Sequence, residues 1–242
     1  MVHVSELQSQ STDSAKAFTE FSGTVGITTN GFSIIPTFSL GKPAFIINLA
    51  FKRKRFSFEP DIRLVPDASK GGMIWWLRYR LIDQQKFKFR VGVHPAFSLI
   101  RRTDTENGST KQITEMLRFF AYELVPSYQF TERFGVSAVF LQGNALQNSG
   151  PQLTRVLFLN SHFTKVPLGN KLLLNVHPTI FFLNTDGYRG NYFTITTALN
   201  HRNSPFALQA TINQTFRSNV PNNKNFMWNV TLNYSFSTKV HS

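Results

Sequence analysis

The chain has no cysteine. That excludes a disulfide scaffold and any thiolate metal site. Charge is scarce, at 16 % of residues, and acidic residues are scarcer: thirteen Asp and Glu stand against twenty-six Lys and Arg, a formal net charge of +13. No apolar run reaches the roughly 18 residues that a membrane-spanning helix needs; Ala44–Phe51 and Leu172–Leu183 are interrupted by Asn48, Asn175 and His177. There is no RNP-like, zinc-finger or helix-turn-helix pattern. The basic residues are scattered apart from Lys52-Arg53-Lys54-Arg55, so no nucleic-acid partner is expected. An anionic lipid surface suits such a basic chain better. No G-x-S-x-G, P-loop or dinucleotide fingerprint occurs. Met1–Lys16 is polar and lacks the apolar core of a secretory signal peptide; residues 1–17 are expected to be a flexible N-terminal segment.

What is abundant is phenylalanine, 25 residues of 242, in a chain too rich in aromatic and β-branched residues for disorder. The dominant pattern is period two. In Phe226–Phe236 one parity reads Phe, Trp, Val, Leu, Tyr, Phe and the other Met, Asn, Thr, Asn, Ser. Successive strand side chains point to opposite faces, so one face is apolar and the other carries amides and hydroxyls. The alternation recurs in 205–216, 171–183, 86–98 and 54–64. With turn signals between runs, it predicts twelve strands, near 31–40, 43–51, 54–64, 72–82, 86–98, 112–128, 133–142, 152–163, 171–183, 190–200, 205–216 and 225–236. Phe18–Thr28 is a candidate thirteenth strand or the start of a long first one. Short links alternate with longer ones, the longer at 66–72, 101–111, 143–152, 185–190 and 217–224. Prolines 36, 60, 95, 126 and 178 fall inside strand-like runs, which points to bulges there or to wrong spans.

The direction of the apolar face is the central question. A soluble β fold turns it inward; a membrane barrel turns it outward. Aromatic richness and uncharged polar faces favour the second, as do residues suited to interfacial belts: Trp75, Tyr79, Tyr122, Tyr128, Trp228 and Tyr234. Over about 31–236 the sequence resembles bacterial outer-membrane β-barrel proteins. The last strand, with Trp228, Tyr234 and Phe236, resembles the alternating, Phe-ended sorting signal of that family. The resemblance implies a single antiparallel up-and-down transmembrane β-barrel over 18–237, followed by a short tail at 238–242. It also implies a bacterial outer-membrane location, with lipid, lipopolysaccharide and the barrel assembly machinery as partners.

Charged residues on the inner parity cluster in consecutive strands: Glu59, Asp61, Arg63, Arg78, Arg80, Arg90, His94 and Glu123. A turn centred near Gln84 would set Arg78 opposite Arg90 and Arg80 opposite Lys88. This predicts a row, Glu59–Arg78–Arg90–Glu123, that serves either as a charged constriction or as a structural network in a narrow lumen. His94 and His177 both precede proline, and no third metal ligand is set beside them, so no metal or cofactor is expected. Ser161 and His162 are adjacent and must point to opposite faces, which gives no nucleophile–base pair. The expected function is therefore not enzymatic, although a lipid-active barrel enzyme stays open. The leading reading is a narrow channel for small polar or anionic solutes. A non-conducting scaffold or assembly protein, and a soluble β-barrel carrier of an apolar ligand, are the alternatives.

Overall fold

A computed structural model describes residues 20–31, 33, 39–106 and 109–238. Twelve antiparallel strands close into one barrel, each paired with its sequence neighbours and β1 paired with β12. They are β1 (Glu20–Thr28), β2 (Ala44–Arg53), β3 (Phe56–Leu64), β4 (Gly71–Asp83), β5 (Phe87–Glu106), β6 (Ser109–Gln129), β7 (Phe134–Ala145), β8 (Leu153–Leu168), β9 (Leu172–Thr185), β10 (Tyr188–His201), β11 (Phe206–Ser218) and β12 (Phe226–Thr238). The expectations for residues 1–17, and for the tail beyond Thr238, lie outside the described residues.

The inversion is plain in β12. Trp228 is 54 % exposed and Leu232 52 %, whereas Asn229 is 4 % and Thr231 3 %. The apolar parity faces outward and the amides and hydroxyls face the lumen, which is the reverse of a soluble β fold. A run of ring contacts crosses the closure seam on the outer wall. It goes from Phe206 through Tyr234, Phe236, Phe21, Phe51 and Phe58 to Trp75, with centroids 4.8 to 6.5 Å apart. Such pairs stabilise by about 0.5–1.5 kcal/mol each beyond burial. Inside the same seam Thr28, Asn229 and Thr231 form a closed set of side-chain hydrogen bonds.

The first strand differs from expectation. It is Glu20–Thr28; of the predicted strand 31–40, Gly31, Ser33, Ser39 and Leu40 belong to no strand, and the rest lies outside the described residues. Leu40 donates its amide to the Gly31 carbonyl and Gly41 to that of Asn30. Buried Leu40 packs with Ala44 and Val65. The candidate segment Phe18–Thr28 contains β1; it stands outside the twelve predicted strands because Gly23 and Gly26 weaken a strand signal. Gly23 is small because the Phe236 ring lies over it: a Cβ there would meet Phe236 Cζ at 2.5 Å.

Two predicted loops are also corrected. β5 and β6 pair without interruption to Glu106 and Ser109, well past their last partners on β4 and β7, so most of 101–111 is a projecting ribbon. The intervening Asn107-Gly108 is a strong hairpin dipeptide. The link between β9 and β10 is the tight turn Asp186-Gly187, both with positive φ, as a type I′ hairpin requires.

Four of the five strand prolines resolve into one pattern; Pro36 lies outside the described residues. Pro60, Pro95, Pro126 and Pro178 lie on the outward parity, each inside a gap of the ladder. β2–β3 skips 59–60, β4–β5 skips 94–95, β6–β7 skips 125–126 and β8–β9 skips 177–178, with the register resuming unchanged. A residue without an N–H cannot donate to the ladder. The spans hold, and the breaks are gaps rather than bulges.

Candidate functional site

Of the four inward side chains that stand immediately before these prolines, three are polar: Glu59, His94 and His177. Each sits where its strand pair is locally open. The first two belong to a polar cluster on the wall formed by β3 to β6.

Arg78 on β4 is the hub. Its Nε donates to Glu123 Oε1 at 2.6 Å and its Nη2 to Glu123 Oε2 at 3.4 Å, while its Nη1 donates to Glu59 Oε2. Ser57 donates to the other Glu59 oxygen at 2.7 Å. Arg90 Nε lies 3.5 Å from Glu123 Oε1. The four predicted charges do meet, but in the order Glu59–Arg78–Glu123–Arg90. The expected pairing of Arg78 with Arg90 is corrected. Arg78 is opposite Gly92, and Arg80 is opposite Arg90: Asp83 pairs with Lys88, which centres the turn between Gln85 and Lys86 rather than at Gln84, and the extra residue Leu81 then shifts the ladder by one.

That offset explains how like charges tolerate one another. Arg80 turns to the short-turn mouth, donating to Asp83 at 2.7 Å and to the Lys54 carbonyl at 2.6 Å. Arg90 turns the other way, to Glu123. Gly92 is the crossing point: a Cβ there would lie 2.9 Å from Glu123 Cγ, 3.0 Å from its Oε1 and 3.1 Å from Arg78 Cγ. Only a residue without a side chain lets Arg78 reach across β5 to β6.

Trp76 is the lumen-facing member of the Trp75-Trp76 pair. Its ring carries the Arg78 guanidinium carbon 4.0 Å from the centroid and meets the His94 ring at 3.9 Å. His94 is buried, and its Nδ1 has no hydrogen-bond partner among the described residues. Asp61 and Arg63 form a separate bidentate pair farther along β3, at 2.8 and 3.0 Å.

The lumen is not polar all round. Val156, Phe181, Leu183 and Tyr192 turn inward and form a hydrophobic cluster with Val220 from the β11–β12 loop. Phe181 and Tyr192 stack at 4.7 Å. The sequence reading missed this apolar sector because β8 and β9 are apolar on both parities toward the long-loop end. A cavity of about 410 Å³ lies between the sectors. Trp76, His94 and Glu123 line it on one side; Thr211, Asn229 and Thr231 line it on the other. Ser33 and Leu40 of the β1–β2 loop also reach it.

On the outer wall, Tyr79, Tyr128 and Tyr234 lie toward the short-turn end, opposite Phe56, Phe87 and Phe206. Trp228 lies toward the other end, opposite Ile212. Trp75 and Tyr122 sit farther from the rims, opposite Pro60 and Val93. Trp228, Tyr234 and Phe236 all belong to β12, the strand that closes the barrel.

No family model matches the sequence, and no curated protein matches it. Among solved structures, the KdgM porin aligns over 89 % of this chain and 99 % of its own, with a TM-score of 0.51 and 11 % identity. The chain has the fold of an outer-membrane β-barrel protein. LpxR from Salmonella typhimurium aligns over 89 % of this barrel and 99 % of its own chain, with a TM-score of 0.47 and 8 % identity. The β-domain of the Bordetella autotransporter BrkA covers 92 % and 100 %, at 0.46 and 10 %.

At the long-loop rim of this barrel, Asp67 orders the β3–β4 loop. It accepts the Ser69 hydroxyl at 2.6 Å and the Ser69 amide at 3.0 Å, and it pairs with Lys42 at 3.2 Å. The Ser69 hydrogen bonds foremost, then Lys42, hold its carboxyl well below the usual carboxylate range. A depressed folded value means that the carboxylate supports the loop above the unfolded value, near 4, and is lost only as pH falls through the folded one. The carboxyl carbon of Asp67 is expected to keep its ionised NMR shift at pH 3, and Asp67→Asn to remove the acid transition of this loop.

Proposed function

We propose that the protein is a narrow outer-membrane channel for small polar solutes, anions preferred. The observation that carries this is the charged row Glu59–Arg78–Glu123–Arg90, projecting from one wall of a closed barrel toward an uncharged wall of threonines and asparagines. A solute in the intervening cavity, itself in the size range of small-molecule sites, meets the Glu123 carboxylate of the row, the Trp76 indole, the Asp61–Arg63 pair and the Asn229 amide. Two arginines and two glutamates cancel within the row. The preference for anions then comes from the excess of Lys and Arg elsewhere, including Lys52, Arg53, Lys54 and Arg55 around the β2–β3 turn. On this reading outer-membrane lipid and lipopolysaccharide cover the outer wall, and β12 carries the signal read by the assembly machinery.

Refolded protein in planar bilayers is expected to give discrete current steps, with a reversal potential of anionic sign in a KCl gradient. Arg78→Ala leaves two carboxylates against one arginine, and the reversal potential should move toward cations. Stably inserted protein without steps would replace the channel by a scaffold. Partition into the aqueous fraction without detergent would overturn the membrane location.

A further inference from the structure

A second polar group lies on the inner wall of β7, β8 and β9, closer to the short-turn mouth than the charged row. It centres on Ser137, His162 and His177, each partly open to the lumen. Ser137 Oγ is 2.9 Å from His162 Nε2. His162 Nδ1 is 3.1 Å from His177 Nδ1. These two histidines face each other across the gap that Pro178 opens in the β8–β9 ladder.

The surrounding amide sets the direction of the protons. Thr179 donates its hydroxyl to Asn160 Oδ1 at 2.9 Å, so the Asn160 amino group turns to Ser137 and donates to its oxygen at 3.3 Å. With a lone pair so occupied, the Ser137 hydroxyl hydrogen points to His162 Nε2. A neutral imidazole that accepts at Nε2 carries its proton on Nδ1, and that proton is donated to His177 Nδ1. A nucleophile, a base within hydrogen-bond reach and a third group orienting the base are thus in line, which is the arrangement that activates a serine.

We infer that Ser137 is an activated nucleophile, with His162 as its base and His177 as the positioning residue, acting on small water-soluble carboxylic esters that enter from the short-turn mouth. Ser137 Oγ attacks the ester carbonyl carbon while its proton passes to His162 Nε2. The bond to the alcohol oxygen breaks, and His162 returns the proton to the departing alkoxide. Lumen water, deprotonated in turn by His162, then attacks the acyl carbon, releases the carboxylic acid and restores Ser137. The inference does not require passage through the barrel.

The test uses folded protein in detergent, with a fluorophosphonate probe and p-nitrophenyl butyrate. Peptide mapping of the wild-type protein should find one adduct, on Ser137, and none after heat unfolding. Ser137→Ala should abolish labelling and hydrolysis. His162→Gln should slow both by roughly 100-fold or more, the usual contribution of a general base. His177→Gln, which keeps an acceptor for the Nδ1 proton, should retain more activity than His177→Leu. Each variant is checked for heat-modifiable migration on gels. An adduct on other serines, equal labelling of heat-unfolded protein, or unchanged hydrolysis by Ser137→Ala overturns the assignment, and the wild-type map decides it even where a variant does not fold.

Discussion

Arg78→Met is expected to lower the unfolding free energy of the barrel by about 3–5 kcal/mol, the usual effect of removing one partner from a buried ion pair. The side chains of Arg78 and Glu123 are 13 % and 3 % exposed. Without the guanidinium, among the described residues Glu123 keeps the Arg90 contact at 3.5 Å and Glu59 keeps the Ser57 hydrogen bond. Arg80→Met provides the control. Its partner Asp83 lies at the mouth, where the two side chains are 38 % and 26 % exposed, and such pairs contribute about 0–1 kcal/mol. Replacing both Arg78 and Glu123 by methionine should cost less than the sum of the single changes, because it strands fewer charges. Urea titration of protein in lipid vesicles, followed by the folded gel band, measures the wild type, Arg78→Met, Glu123→Met, the double variant and Arg80→Met. If Arg78→Met and Arg80→Met agree within 1 kcal/mol, the row is a solvated surface network and not a buried one.

Leu232→Arg is expected to cost about 2–4 kcal/mol in a bilayer, as a cation near mid-depth on the lipid face of a barrel does. Leu232 lies mid-strand on the outward parity of β12 and is 52 % exposed. Were its surroundings water, a surface change of this kind would stay within about 0.5 kcal/mol. The measured cost therefore reports directly on what touches the outer wall. Tyr234→Arg, nearer the rim, should cost only about 0–1 kcal/mol. The same vesicle titration gives both values, and a near-zero cost for Leu232→Arg removes the membrane from the interpretation.

Much of the fold could be read from the chain. Strict alternation in β3, β11 and β12 identified the spans and the apolar parity, because neighbouring strand side chains must face opposite ways. The first strand was legible only as the strand-like segment Phe18–Thr28, not as the strand that closes the barrel, for a local reason. Gly23 and Gly26 make room for Phe236 and Asn233 across the closure seam, and a glycine chosen for a distant partner carries no strand signal of its own. The charged row was legible as a set of residues but not as a geometry. The turn after β4 is centred between Gln85 and Lys86 rather than at Gln84, and the extra residue Leu81 then shifts the ladder by one step, so Arg78 lies opposite Gly92 and not Arg90; no local pattern announces offsets of that kind. Ser137 was not singled out at all. It is 25 residues from His162, and only the β7–β8 register sets the two side by side.

By itself the sequence determined the alternation, hence the strands and the two chemically distinct faces. It also determined, through uncharged amides opposite aromatic rings, that the greasy face is the unusual one to leave open. These are properties of residues close together along the chain. The tertiary structure alone decided which inward side chains meet: the hub at Arg78, the histidine pair at the Pro178 gap and the apolar sector around Phe181. Those contacts depend on register, bulges and barrel closure, which are set by the whole ring of strands and change by a full residue step when any one of them slips.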